Sequence, residues 1–145
     1  MLDIDALKER FLNLEFDRND FELDPAKAIV VARMSGEQLP QFTDPDHPEF
    51  QATPALIGSL TSSRHLPVSF PDVGGIPMDG GKAVTCLAPV PLGEPLTGKS
   101  HIHDIYDKTG RSGRMIFLVS RMELFNAAGE HLASNDSRLV IREHS

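Results

Sequence analysis

His101 and His103 stand two apart in a strand-like stretch, the spacing that puts two imidazoles on one face where two metal ligands would sit. Zinc needs three or four converging ligands. Asp104 is expected on the opposite face and no third ligand follows from the spacing, so a structural or surface role is the stronger reading. Cys86 is the only cysteine, which excludes an intrachain disulfide and leaves a thiolate metal site without companions. Asp44, Asp46 and His47 form a second polar group, yet Asp and Pro at that spacing are what turns require. Gly80-Gly81-Lys82 resembles the end of a phosphate loop, but Ile76 stands where that loop needs glycine and Ala83 where it needs Ser or Thr. Ser62 and Ser63 precede Arg64-His65 without the Gly-x-Ser-x-Gly frame of a strained nucleophile elbow. Arg111 and Arg114 flank a glycine-containing turn and would suit phosphate oxygens by bidentate pairing, against the competing reading of a solvated hairpin tip.

The chain that must position these groups has 145 residues, enough for one core without disulfide or metal staples, and a single domain over 1–145 is expected. With 14 Lys+Arg against 21 Asp+Glu it carries a formal charge of -7, which would repel a phosphate backbone, so no nucleic-acid partner is expected. No stretch approaches the roughly 18 apolar residues of a membrane helix. Charged residues interrupt residues 1–10 where a secretory signal would be continuously apolar. A soluble cytoplasmic protein without a membrane partner is the expectation.

Ile4, Leu7 and Phe11 recur at helical spacing. Asp24 followed by Pro25 signals the start of a second helix, with Ala26, Ile29, Val30 and Met34 as its expected buried stripe and Gly36 as its stop. Three prolines make 37–50 a loop. Thr53-Pro54 repeats the cap-plus-proline signature and predicts a central helix to about Arg64, carrying Leu56, Ile57 and Leu60 on one stripe. The Gly- and Pro-rich stretch from Leu66 to Gly81 predicts an irregular crossing. Strand-like runs follow over 82–89, 96–106, 114–126 and 130–142, the last three pairing antiparallel through turns at 107–113 and 126–129. Apolar residues on both faces of the run from Arg114 place it centrally in the sheet, and lost alternation at Ser134-Asn135-Asp136-Ser137 suggests a bulge.

Helices first, then a long antiparallel meander, is the order of an α+β domain. Within it, Ser35-Gly36-Glu37-Gln38-Leu39-Pro40-Gln41-Phe42-Thr43-Asp44 resembles the Gly-Asp-x-Asn-Pro-aliphatic-His loop of the MaoC-like (R)-specific enoyl-CoA hydratase/dehydratase family, matching at Gly36 and Pro40. Thr53-Pro54-Ala55-Leu56 resembles the start of that family's central helix, and the stretch from Gly110 to Arg142 its last strands, so the resemblance runs from about Phe21 onward. It implies a hot-dog fold, an antiparallel sheet wrapped around a central helix. The catalytic positions do not match: Glu37 stands for the family's aspartate, Leu39 for its asparagine and Phe42 for its histidine. Hydration of an enoyl thioester needs titratable groups within hydrogen-bond reach of the water, and Phe42 can neither give nor take a proton. The pattern is similar to the non-catalytic amino-terminal half of double hot-dog dehydratases.

The resemblance therefore implies no catalytic residue in this chain, and a substrate-shaping role beside a catalytic MaoC-like subunit. The ligand expected is an acyl-CoA or enoyl-CoA, with coenzyme A entering as part of the substrate and no separate cofactor or metal. Phe42, Leu56, Ile57 and Leu60 are the expected acyl-pocket residues, and Arg111 and Arg114 the expected contacts to coenzyme A phosphates. Two rivals stay open: a stand-alone thioesterase using Glu37 or Glu49 to activate water, and a non-enzymatic acyl-CoA-binding homodimer. An unpaired sheet edge predicts a dimer in any case.

Overall fold

Asp3 accepts hydrogen bonds from the N–H groups of Asp5 and Ala6 and so starts helix α1, Ile4–Phe11, which buries Leu7 and Phe11. The computed structural model describes residues 2–143. Strand β1, Glu15–Glu22, follows where the sequence gives no strand signal. Its only large apolar residues, Phe16 and Phe21, lie at opposite parity and cannot share a face by simple alternation. A bulge at Phe16 resolves this, because the register slips between Glu15 and Asp17, and both rings pack against the buried clusters.

Asp24 caps α2, Pro25–Met34, as expected, and Gly36 ends it at φ 75°, a left-handed conformation that suits glycine. The buried stripe is a correction. Ala28 and Ala32 face inward, while Val30 is 55% and Met34 83% exposed. Within the expected loop, Pro40–Thr43 forms one short helix, α3.

The central helix α4 begins where expected, with Thr53 Oγ1 accepting the Leu56 N–H, but spans only Pro54–Gly58 and not the stretch to Arg64. The carbonyls that would continue it are taken by other partners. Ile57 O and Leu60 O both accept from Asn135 Nδ2 at 3.1 Å, and Ser59 Oγ turns back on Leu56 O at 2.6 Å. Residues 59–65 then leave the helix as a strap across the sheet.

Five antiparallel strands form one sheet in the order β1-β3-β4-β5-β2, with β2 at Gly75–Cys86, β3 at Pro95–Gly110, β4 at Gly113–Asn126 and β5 at His131–Glu143. Strand β4 is central, as its two apolar faces foretold. The irregular crossing expected up to Gly81 is shorter, because β2 already pairs with β5 from Gly75. An edge strand tolerates Pro77, whose missing N–H removes no ladder bond on the open side. The bulge expected at Ser134–Ser137 lies elsewhere: those four residues pair without interruption to β4 and β2, and the register slips instead at Leu132 and at Gly80-Gly81. Gly81 has φ 102°, and a Cβ on Gly80 would stand 2.7 Å from Val140.

One face of the sheet carries two separate apolar clusters. Leu96, Leu124 and Ala133 pack against α2 and α4 at one end. Ile102, Ile105, Ile116 and Leu118 pack against α1 and the 66–73 stretch at the other. This is the hot-dog arrangement expected, with a much shorter central helix.

Candidate functional site

Between the two apolar clusters the inward positions of three adjacent strands turn polar. Ser100 on β3 pairs with Met122 on β4, which pairs with Asn135 on β5; one row along, Ser120 pairs with Ser137. A longer helix would lie over these positions. Because α4 stops at Gly58, a cavity of about 380 Å³ remains, floored by this belt, roofed by Leu60, Thr61, Ser62 and His65, and reaching Pro77, Met78, Asp79 and Lys82 on β2. The volume falls in the range of small-molecule sites.

The roof is tied at several points. Asp17 Oδ2 on β1 accepts the Arg64 N–H at 2.9 Å, and Ser63 Oγ donates to Asn19 Oδ1. Burial raises the Asp17 carboxyl, but hydrogen bonds from Asn19 and from the Arg64, Arg18 and Ser63 backbone outweigh it and hold the group below its usual value. From the other side Lys82 Nζ donates to Gly58 O at 2.9 Å, and Asn135 holds the end of α4. On the floor, Ser100 Oγ and Asn135 Oδ1 are buried without a hydrogen-bond partner among the described residues.

Of the residues expected to form an acyl pocket, Leu60 lines this cavity. Leu56 and Ile57 lie behind it in the core beneath α4. Phe42 is half-buried on α3, apart from the cavity lining. Arg111 sits exposed at the β3–β4 hairpin tip. Arg114 is only 14% exposed and is engaged three times, by Asp107 at 2.8 Å, Glu143 at 3.3 Å and the Leu2 carbonyl at 2.8 Å. A guanidinium so occupied ties β4 to β3, to β5 and to the segment that precedes α1. Glu37 Oε1 accepts the N–H groups of Gln38 and Leu39, Leu39 is 51% exposed, and Glu49 is exposed on the loop. Asp44 and His47 likewise accept local backbone N–H groups, as turn residues do.

The sequence reading missed the floor. Its signal was the Ser134–Ser137 stretch, read as a bulge when it is a strand whose inward members are Asn135 and Ser137. At the mouth, His65 and Asp79 are the titratable acid–base candidates. Both are exposed, and Asp79 Oδ1 accepts the Gly81 N–H at 2.8 Å.

Two histidine groups lie on the opposite face of the sheet. His101 Nε2 and His103 Nδ1 are 3.2 Å apart, and burial pushes the His101 imidazole below its usual value. His103 is the extra residue of a bulge, which brings Asp104 to the His101 side, contrary to the expectation of opposite faces. No group of three or more potential metal ligands exists among the described residues. His131 Nε2 lies 3.1 Å from Ser134 Oγ, but the same nitrogen is 3.0 Å from Ala133 O, a contact only a protonated nitrogen can make. That nitrogen cannot also serve as base to the serine.

No helix of the described residues is long and apolar enough to cross a membrane. No curated protein sequence matches the chain. Among solved structures it is similar to the Mycobacterium tuberculosis HadBC complex, a 3R-hydroxyacyl-ACP dehydratase, at TM-score 0.67 and 19% identity over 96% of this chain and 98% of that one. It is also similar to the ChsH1-ChsH2 complex of the same organism, at TM-score 0.65 and 15% identity over 98% and 90%. A MaoC-like dehydratase from Phytophthora capsici matches at TM-score 0.63 and 20% identity over 99% of this chain and 50% of that one. These likenesses establish the fold. The family model for the FAS1-like dehydratase domain region matches residues 33–135, which span α4, the strap and the polar floor as far as Asn135, and the chain belongs to that family.

Proposed function

We propose that the chain is the non-catalytic, substrate-shaping subunit of a heteromeric (R)-specific enoyl-CoA hydratase or 3-hydroxyacyl dehydratase. The observation that carries this reading is the separation of cavity from motif. Adding water across an enoyl thioester needs an acid–base pair at the double bond. The loop that would supply it offers Glu37, turned onto its own backbone, and Phe42, which cannot titrate. Oriented proton transfer is lost when groups shift by an ångström or so. The same capping of Glu37 weighs against a thioesterase built on it.

Recognition survives where chemistry does not. The cavity replaces the distal part of the central helix and would admit the acyl part of a thioester, with the reacting carbons held by the partner. Among the described residues strand β2 pairs only with β5, flanks the cavity mouth and exposes Ile76 and Met78, so a partner adding to this edge would complete the cavity wall. Val30 and Met34 on α2 add further apolar surface for a subunit contact. Complexes are the form in which HadBC and ChsH1-ChsH2 were solved. A reducing cytoplasm is the compartment this reading implies.

Light scattering on the purified chain, alone and mixed with a hydratase subunit bearing Gly-Asp-x-Asn-Pro-x-His, tests the pairing. A heteromer containing both chains is expected. A chain that stays a 15.9 kDa monomer in every mixture contradicts it, and a homodimer that ignores the partner favours the acyl-binding alternative.

A further inference from the structure

Asn135 is 5% exposed and its orientation is fixed by what it already does. Nδ2 donates to two carbonyls, Ile57 O and Leu60 O, so exchanging the amide ends would press oxygen against oxygen. Oδ1 therefore stays an acceptor, covered within the residues that floor the cavity and with no donor among the described residues. Ser100 is 2% exposed and its hydroxyl is likewise unpartnered, but unlike the amide it can rotate. Met122 stands between them in the ladder, so they lie two strand spacings apart, roughly 10 Å. Buried polar atoms without partners are unfavourable, and two in one cavity wall define what an occupant must bring.

A plain hydrocarbon chain would leave both atoms unpaired. A ketone oxygen would satisfy Ser100 but not Asn135, since it has no proton to give. An ammonium group could donate, but the floor of Ser100, Ser120, Met122, Asn135 and Ser137 holds no carboxylate, and Asp79, which also lines the cavity, is exposed at its mouth, so a cation at the floor would be desolvated without a counterion beside it, which is strongly disfavoured. A hydroxyl donates without charge. We propose that this cavity selects an acyl group carrying a hydroxyl on its distal part, donated to Asn135 Oδ1, with Ser100 making a second contact to an oxygen function across Met122. This rests on the reading that the cavity takes the acyl part of a thioester. It makes Asn135 the specificity-determining residue, and Ser100 a second binding residue, of a site that does no chemistry itself.

The test is calorimetric titration of the full chain with octanoyl-CoA and with its 6-, 7- and 8-hydroxy derivatives. At least one hydroxylated thioester is expected to bind about five- to tenfold more tightly than octanoyl-CoA, as one neutral hydrogen bond to a buried acceptor provides. Ser100→Ala deletes a hydroxyl that makes no internal bond and lies two strands from Asn135, so it should weaken octanoyl-CoA and its hydroxy derivatives alike while leaving the preference intact and the melting temperature unchanged or higher. Asn135→Ala should abolish the preference; if that variant does not fold, the comparison of the four thioesters on the unaltered chain carries the test alone. Octanoyl-CoA binding as tightly as every hydroxylated derivative overturns this proposal and leaves the acyl-binding reading standing. A preference that survives Asn135→Ala at full strength also overturns it, and binding of none of the four overturns both.

Discussion

Replacing Asn135 by alanine probes the joint between sheet and central helix. The substitution removes two hydrogen bonds of 3.1 Å, with unequal consequences. Ile57 O keeps the Leu60 N–H as a partner at 3.1 Å, so its loss is one ordinary bond, about 1 kcal/mol. Leu60 O has no other donor among the described residues, and a carbonyl left unpaired in a half-buried position costs about 1–2 kcal/mol. Against this, the variant no longer buries an unpartnered Oδ1, a relief of about 1 kcal/mol. The balance is roughly 1–2 kcal/mol of destabilisation, or about 2–8 °C in melting temperature for a chain of this size. Calorimetric or fluorescence-monitored melting measures it, with amide exchange at Gly58 to Leu60 reporting whether the end of α4 loosens first. A shift below 1 °C with unchanged exchange would refute the claim that Asn135 ends the helix.

Arg114→Ala should destabilise by roughly 2 kcal/mol in urea titrations, since hydrogen bonds to charged groups are worth about 1.5–3 kcal/mol, while leaving any coenzyme A affinity unchanged; a large affinity loss without destabilisation would restore a phosphate-binding role. Stability should fall as the solution is acidified, in two stages. Burial lowers the His101 imidazole, so the stability it contributes is present above the ordinary imidazole value, about 6.5, and is lost as pH falls through the depressed folded value. Asp17 is also held below its usual value, so the same sign applies in the carboxylate range, where loss of the Arg64 tether should loosen the strap. His101→Gln should flatten the melting-temperature profile between pH 7 and 5; an unchanged slope there contradicts the assignment.

The meander was legible because Asn126 and Gly129, and Gly110 and Gly113, supply turn chemistry between runs of strand period. Helix starts at Asp24 and Thr53 were legible because cap and proline are local signals. Lengths and faces depended on contacts distant in sequence. Nothing between Pro54 and Arg64 announces that the helix stops at Gly58, because the groups that end it include a side chain 75 residues or more away. Phe16 and Phe21 concealed β1, since a bulge is needed to bring both rings inward. Asn135 was visible only as a break in alternation, and its meaning lay in its strand neighbours Met122 and Ser100. That Phe42 cannot act as a base is legible from its side-chain chemistry alone, whereas the role of the loop around it rests on the resemblance that aligned it.

The most direct measurement is an enoyl-CoA hydration assay followed by the ultraviolet absorbance of crotonyl-CoA, run on this chain, on a catalytic MaoC-like subunit and on their mixture. The chain alone should show no turnover, and the mixture should exceed the catalytic subunit alone, with Glu37→Ala leaving the mixture's rate nearly unchanged. Robust hydration by the chain alone, abolished by Glu37→Ala or by Asp79→Asn at the cavity mouth, would contradict the non-catalytic assignment.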